Sequence, residues 1–185
     1  PWAAAYEDLF QRALSVTEPT AEQDQLRRLL GPYRPRIEAD WSALSEVVAA
    51  CRDTVWPAVL THGDSRGSNL IVGDDGRLHL IDWDVPLLAP AERDTWFFLN
   101  TDAAASVFLP RYRRMFPDYR PDLLFHRYYV LQRFFEDITG YLGPILDDPS
   151  PERRAWHLAE LRQTCFVWLW PAIRRLDFRQ DRCNV

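Results

Sequence analysis

The sequence contains no lysine; all 22 of its basic residues are arginine, set against 27 acidic ones for a formal net charge of −5. A mildly acidic chain without a basic stripe has nothing to track a phosphate backbone, so nucleic acid is excluded as the main partner. Cysteine is scarce as well. Cys51, Cys165 and Cys183 are odd in number and far apart, with no C-x-x-C. That excludes a disulfide framework and a thiolate zinc cluster, and it fits a reducing cytoplasm. The longest strongly apolar run, Cys165 to Ile173, falls well short of the roughly 20 residues a membrane helix needs, so no membrane partner is expected. The start, Pro1-Trp2-Ala3, has neither a basic n-region nor a methionine. It reads as no signal peptide and as a piece cut from something longer. Disorder is excluded too: 47% of the 185 residues are apolar and 14% aromatic, enough for one domain with a real core.

Glycine is the informative scarcity. Four of the seven glycines (Gly63, Gly67, Gly73, Gly76) fall within fourteen residues, and glycine concentrates where backbone turns sharply or approaches something closely. The flanks read as helices. Trp2, Tyr6, Leu9, Phe10, Ala13 and Leu14 make one helical face; Thr20 and Gln23 suit a capping box, and Gly31-Pro32 supplies a stop. Ile37, Trp41, Leu44, Val48 and Cys51 recur at helical spacing. Short apolar runs at 58–60, 70–72 and 78–81 predict strands, the last two joined by an Asp74-Asp75-Gly76 hairpin turn. Beyond Pro90 the helical period returns, predicting helices at about 91–100, 103–115 (disturbed by Pro110), 121–142 and 152–176, the last broken at Pro171. The expected fold class is α+β, mostly helical with a small β-hairpin. Its parts are a helical stretch 1–57, a loop and hairpin 58–84, and a helical stretch 85–185 within a single unit.

The centre reads Leu60-Thr-His62-Gly-Asp64-Ser-Arg66-Gly-Ser-Asn69-Leu-Ile-Val, then the hairpin, then Leu80-Ile-Asp82-Trp-Asp84. A hairpin pairs the beginning of its first strand with the end of its second, so Asn69 and Asp82 are expected to be spatial neighbours. One carboxylate and one amide oxygen are hard ligands that suit Mg²⁺ with water and phosphate in its remaining positions. Asp64, five residues upstream, can then face a substrate hydroxyl beside the metal. Phosphoryl transfer needs this arrangement, because it is catalysed mostly by positioning and charge neutralisation. Taken singly, Asp64 also reads as a helix or turn cap, and Asn69 and Asp82 as residues that brace the loop by hydrogen bonds.

His62-Gly-Asp64-x4-Asn69 followed by Ile81-Asp82-Trp83-Asp84 resembles the catalytic and metal motifs of the aminoglycoside phosphotransferase and choline kinase-like family, relatives of protein kinases. Leu88-Ala-Pro90-Ala-Glu92-Arg93-Asp94 and Arg133-Phe-Phe-Glu136-Asp137-Ile resemble its spectinomycin-type branch. The resemblance covers nearly the whole chain as the helical C-terminal lobe of a bilobal fold. It implies an ATP-dependent kinase acting on a hydroxyl, with Asp64 the catalytic base, Asn69 and Asp82 the Mg²⁺ ligands, and antibiotic resistance as the family's setting. It implies further that Asp94 braces the catalytic loop and that Ile71 and Ile81 line the adenine side of the cleft. Two departures stand out. Arg66-Gly67-Ser68 replaces the family's usual His-Pro-Gly, and no β-rich N-terminal lobe with its lysine is present. That lobe is the expected partner of this chain, which alone is expected to be weakly active or inactive; self-association through the exposed lobe surface follows from its absence. The competing reading is a pseudokinase-like binding module without catalysis.

Other residues carry two readings each. His62 is expected to be structural, fixing the loop through its imidazole. Arg66 either contacts phosphate or acceptor, or is a solvated loop arginine. Asp84 either binds outer-sphere water of the metal, meets acceptor amines, or is a plain loop carboxylate. Glu136 and Asp137 form either an acidic wall for a cationic small-molecule acceptor or an ordinary charged face, with at most one of them turned to a cleft. Among the eight tryptophans, Trp156, Trp168 and Trp170 are expected in the core or in a buried contact with another lobe.

Overall fold

The structure, a computed structural model, describes residues 2–173. Cys183 and the end of the last expected helix, 174–176, lie outside the described residues. The chain divides into two compact units, residues 1–48 with 130–185 and residues 49–129, whose boundaries fall inside two long helices.

The first unit begins with α1 (Trp2–Ser15) and α2 (Ala21–Leu30). Thr20 caps α2 as its sequence implies: Gln23 N donates to Thr20 Oγ1 at 3.3 Å, and Thr20 N donates to Gln23 Oε1 at 2.9 Å. Gly31–Tyr33 tightens into a 3₁₀ turn, after which α3 (Arg34–Asp53) buries Ile37, Leu44 and Val47. The expected stripe named Val48; Val47 takes the deeper position. Two more helices follow later in the chain, α6 (Leu123–Asp147) and α7 (Pro151–Leu161), with α6 entering this unit at residue 130. Aromatic rings knit the core: Tyr6 lies 4.9 Å from Phe135 and 4.4 Å from Trp41, while Phe134 meets Trp170 at 5.7 Å. Glu22 accepts from Arg154 Nε at 3.1 Å, and this bond lowers the pKa of the Glu22 carboxyl.

The helix after α7 is not broken at Pro171. Its irregularity comes earlier, as a π-helical segment over Arg162–Leu169, and Trp170 N donates to Cys165 O, five residues back. Proline has no N–H for the carbonyl four residues before it and crowds that carbonyl, so the turn ahead of Pro171 widens instead of snapping. Of these three tryptophans Trp170 is buried in the core, whereas Trp156 and Trp168 are 58% and 59% exposed.

The second unit carries four short strands, β1 (Val59–Thr61), β2 (Leu70–Val72), β3 (Leu78–Leu80) and β4 (Leu87–Ala89). They form two antiparallel pairs. In the hairpin β2–β3, Leu70 faces Leu80 and Val72 faces Leu78. Gly76 closes the turn at φ 73, and Gly73 N bonds Arg77 O at 2.8 Å. The other pair, β1 with β4, joins Leu60 to Leu88 across the intervening segment. Strand β4 escapes sequence reading because Leu87-Leu88-Ala89 sits between two prolines and has no alternation. Then α4 (Glu92–Leu99) and α5 (Asp102–Met115) complete the unit, α5 capped by Thr101. Pro110 leaves α5 continuous; Ser106, four residues back, is exposed, where solvent replaces the lost bond at low cost.

Candidate active site

The loop between β1 and β2 is fixed from below by one side chain. Asp94, in the first turn of α4, accepts from His62 N through Oδ2 and from Gly63 N through Oδ1, both at 2.7 Å. Its carboxylate therefore serves the loop rather than the N-terminus of its own helix, where no side-chain cap is made. Gly63 sits at φ 89, and a Cβ there would collide with the Arg93 guanidinium. That guanidinium donates to Thr61 Oγ1 at 2.8 Å and to Val85 O at 2.9 Å, and Thr61 Oγ1 donates onward to Leu87 O at 2.7 Å. The backbone sign favours glycine here, and a side chain at this position would also push the guanidinium away from these bonds.

His62 ties this loop to the hairpin. It is 1% exposed; Asp64 N donates to its Nδ1 at 3.2 Å, so Nδ1 is unprotonated and Nε2–H donates to Ile81 O at 2.8 Å. Trp83 packs edge-on against the imidazole at 4.6 Å. Ile81 N in turn donates to Asn69 O at 2.9 Å. Ile81 is thus held by both the loop and the start of β2, and Asp82 is the next residue along. Asp82 has φ 66, the one positive value outside glycine among the described residues. A non-glycine residue in that region stores of order 1 kcal/mol, and such residues cluster at functional sites.

Asn69 is buried and closes the loop from within. Its Nδ2 donates to Asp64 O at 2.7 Å and to Asp64 Oδ2 at 3.0 Å. With the amide nitrogen committed, Oδ1 takes no hydrogen bond among the described residues. The Asp82 carboxylate is exposed and likewise takes none there. Two hard oxygen donors fit Mg²⁺, which keeps several waters and needs only one or two protein ligands. No group of three or more His, Cys, Asp or Glu converges among the described residues, so the donor set does not resemble a caged transition-metal site.

Arg66 lies against Asp64, its Nε 2.9 Å from Oδ1 and its Nη2 donating to Oδ2 at 3.1 Å. The arginine is therefore neither purely solvated nor committed to anything beyond the loop. Ile71 and Ile81 are exposed on the hairpin, 49% and 39%, and Asp84 is an exposed loop carboxylate. Glu136 and Asp137 belong to the other unit. Both are half-buried, although one was expected in solvent, because each has a partner one helical turn back: Gln132 Nε2 donates to Glu136 at 2.8 Å and Arg133 Nε to Asp137 at 2.9 Å. Sequence reasoning missed Arg93, whose guanidinium lies over Gly63 and bonds Thr61 and Val85. Its position next to Asp94 was the available signal.

Among the described residues no helix is long and apolar enough to cross a membrane. The chain resembles a solved spectinomycin phosphotransferase in complex with ADP and spectinomycin, with a TM-score of 0.73 at 19% identity over 92% of this chain and 54% of that one. An AMP-bound complex of a spectinomycin phosphotransferase gives 0.68 at 20% identity with the same coverage. The likeness is one of fold, and the chain spans about half the length of these structures. No curated protein sequence matches it. The family model of the phosphotransferase enzyme family matches residues 4–125, which takes in the loop, the hairpin and the bracing aspartate; the chain belongs to that family.

Proposed function

We propose that this chain is the C-terminal lobe of a small-molecule kinase, an aminoglycoside phosphotransferase-like enzyme that transfers the ATP γ-phosphoryl group to an acceptor hydroxyl. The observation that carries the reading is the lacing of loop to hairpin: Asp94 to His62 and Gly63, His62 to Ile81, Ile81 to Asn69, and Asn69 to Asp64. Those bonds hold the one candidate base and the two candidate metal ligands on a single braced frame. A loose phosphoryl-transfer transition state asks chiefly for such positioning.

In this reading Asp64 orients the acceptor hydroxyl and accepts its proton at a carboxylate oxygen as the oxygen attacks phosphorus. Asn69 and Asp82 would hold Mg²⁺, which neutralises charge on the nucleotide phosphates. His62, neutral with Nε2–H on Ile81, keeps Asp82 in its strained conformation next to the loop. Arg66 holds Asp64 in one rotamer and supplies positive charge beside it, which suits a site that receives phosphate. Ile71 and Ile81 offer apolar surface to the adenine. Asp84 supplies acidic character beside the loop for a cationic acceptor, and spectinomycin is the first acceptor to test. The chain matches only about half of its structural neighbours. The proposal therefore assigns nucleotide clamping to a β-rich N-terminal lobe and assigns this chain little turnover by itself.

The test is phosphorylation of spectinomycin and other aminocyclitols by the full-length product of the reading frame, with ATP and Mg²⁺. Asp64→Asn is expected to lower kcat at least 100-fold while leaving the affinity for Mg·ADP within about threefold. Asn69→Ala and Asp82→Asn are expected to raise the Mg²⁺ requirement. Full activity in Asp64→Asn would overturn the assignment of the base.

A further inference from the structure

A cavity of about 790 Å³ lies inside the 49–129 unit, beside the braced loop but apart from the proposed active site, for none of Asp64, Asn69 and Asp82 lines it. That volume suits a small organic molecule. Its walls are largely aromatic, with Trp56, Phe98, Phe108 and Phe125 contributing rings and Tyr112 and Tyr119 adding phenols. Four carboxylates also line it, Glu92, Asp94, Asp118 and Asp122, against a single cation, Arg120.

The carboxylates are not equivalent. Both oxygens of Asp94 are taken by the loop amides, and Asp122 Oδ1 accepts from Leu124 N and Phe125 N at the start of α6. Asp118 is exposed at the rim. Arg120 is turned to backbone, donating to Pro117 O at 3.0 Å and Tyr119 O at 2.9 Å. Glu92 is the exception, at 5% exposure. Its Oε1 accepts from Tyr119 Oη at 3.3 Å and from Asp122 N at 3.0 Å, and Tyr119 in turn accepts from Thr95 Oγ1 at 2.7 Å. Burial holds the Tyr119 phenol far above its ordinary pKa, so it stays a donor to Glu92. Glu92 Oε2 takes no hydrogen bond among the described residues. The residue is nearly buried but this oxygen is not sealed off, and an N–H from a cation satisfies a carboxylate oxygen best. Aromatic faces around it attract a cation and bury an apolar body. The net negative lining repels anions.

We propose that this cavity binds a small organic ammonium ion with an apolar body, its N–H donated to Glu92 Oε2 and its body lodged among the rings of Phe98, Phe108 and Trp56. The site needs neither ATP nor the kinase reading, and it predicts occupancy by the 185-residue chain as it stands. Asp94 lines the cavity on one side and holds the loop on the other, so an occupant there touches the residue that positions His62 and Gly63.

The test is an amide-resolved NMR titration of the chain with 2-phenylethylammonium, using 2-phenylethanol as the neutral partner of the same shape. Shifts are expected at Glu92, Thr95, Phe98 and Tyr119, with the alcohol binding at least tenfold more weakly. Glu92→Gln, which keeps size and the Tyr119 bond, is expected to weaken the ammonium tenfold and leave the alcohol unchanged. Asp118→Asn, at the exposed rim, is expected to weaken the ammonium about threefold through loss of charge alone. Equal binding of ammonium and alcohol by the unaltered chain would overturn the proposal, whether or not Glu92→Gln folds. So would shifts confined to Asp64, Asn69 and Asp82, or no binding at about 20 mM, where affinity would be weaker than any useful site.

Discussion

In the unit built from residues 1–48 and 130–185, the buried side chains are mostly hydrocarbon or aromatic, led by Tyr6, Leu26, Ile37, Phe134, Phe135 and Ile138. In residues 49–129 the buried set is instead led by Thr61, His62, Asn69, Glu92, Thr95 and His126, with Ala89, Leu99 and Phe125 as its main apolar members. Many other apolar side chains of that second unit lie outside: Leu60, Leu78, Leu87, Leu88 and Val72 are each more than half exposed. Burial of apolar area drives the first unit, at roughly 25 cal/mol per Å². The second is held in shape by directed hydrogen bonds, each of modest net worth but costly when one partner is removed. A scaffold and a site have been given different chemistry, and the difference is open to experiment.

The sharpest contrast comes from deleting one residue of each kind. Phe135 is fully buried between the rings of Tyr6, Trp41 and Phe134. Phe135→Ala is expected to cost about 4 kcal/mol in urea unfolding, through lost burial plus a cavity. Asp94→Ala removes an acceptor from two backbone amides at once and is expected to cost about 3 kcal/mol, because charge-assisted bonds are the strong ones. The decisive readout is location. Hydrogen exchange should rise at His62 and Gly63 in Asp94→Ala, and throughout the first unit in Phe135→Ala. If Asp94→Ala loosened both units equally, the distinction between them would fail.

How much of this was readable beforehand follows the same division. Helical periodicity and caps announced α1 to α3 and the Thr20–Gln23 box, because burying a stripe leaves a mark every three or four residues. The hairpin turn was legible in Asp74-Asp75-Gly76. The site residues were nameable from their spacing, but their connections were not: nothing in the letters says that Asp94 reaches back 31 and 32 residues to two amides, or that Arg93 stands over Gly63. Such bonds depend on tertiary approach. The π-helical widening before Pro171 was missed for a similar reason, since the proline marks the disturbance while the helix distributes it over the preceding turns.

Cys51 tests how far the second unit excludes water near its boundary in α3. Burial, with a smaller contribution from the Asp122 charge, pushes its thiol up to about 11 from the ordinary 9.0. A raised thiol pKa favours the folded state below the unfolded value, and that contribution is lost as pH climbs from about 9 through about 11. At pH 9 the folded chain should therefore alkylate at Cys51 at least tenfold more slowly than the urea-unfolded chain, read peptide by peptide in a mass spectrometer. Equal rates would mean that the thiol is wet.

The smallest effect on stability is expected where the letters look most like core. Leu60 and Leu88 face each other across β1 and β4, yet they are 65% and 64% exposed. Were they core residues of the second unit, replacing both with serine would cost several kcal/mol. Because their side chains already meet solvent, Leu60→Ser and Leu88→Ser are each expected to change unfolding free energy by no more than about 0.5 kcal/mol. What should change is association. Contiguous exposed apolar surface marks a place where another protein surface packs, and the double variant is expected to show less concentration-dependent association in sedimentation than the unaltered chain. A large stability loss in the double variant would place these leucines among the supports of the fold instead of on a surface open to a partner.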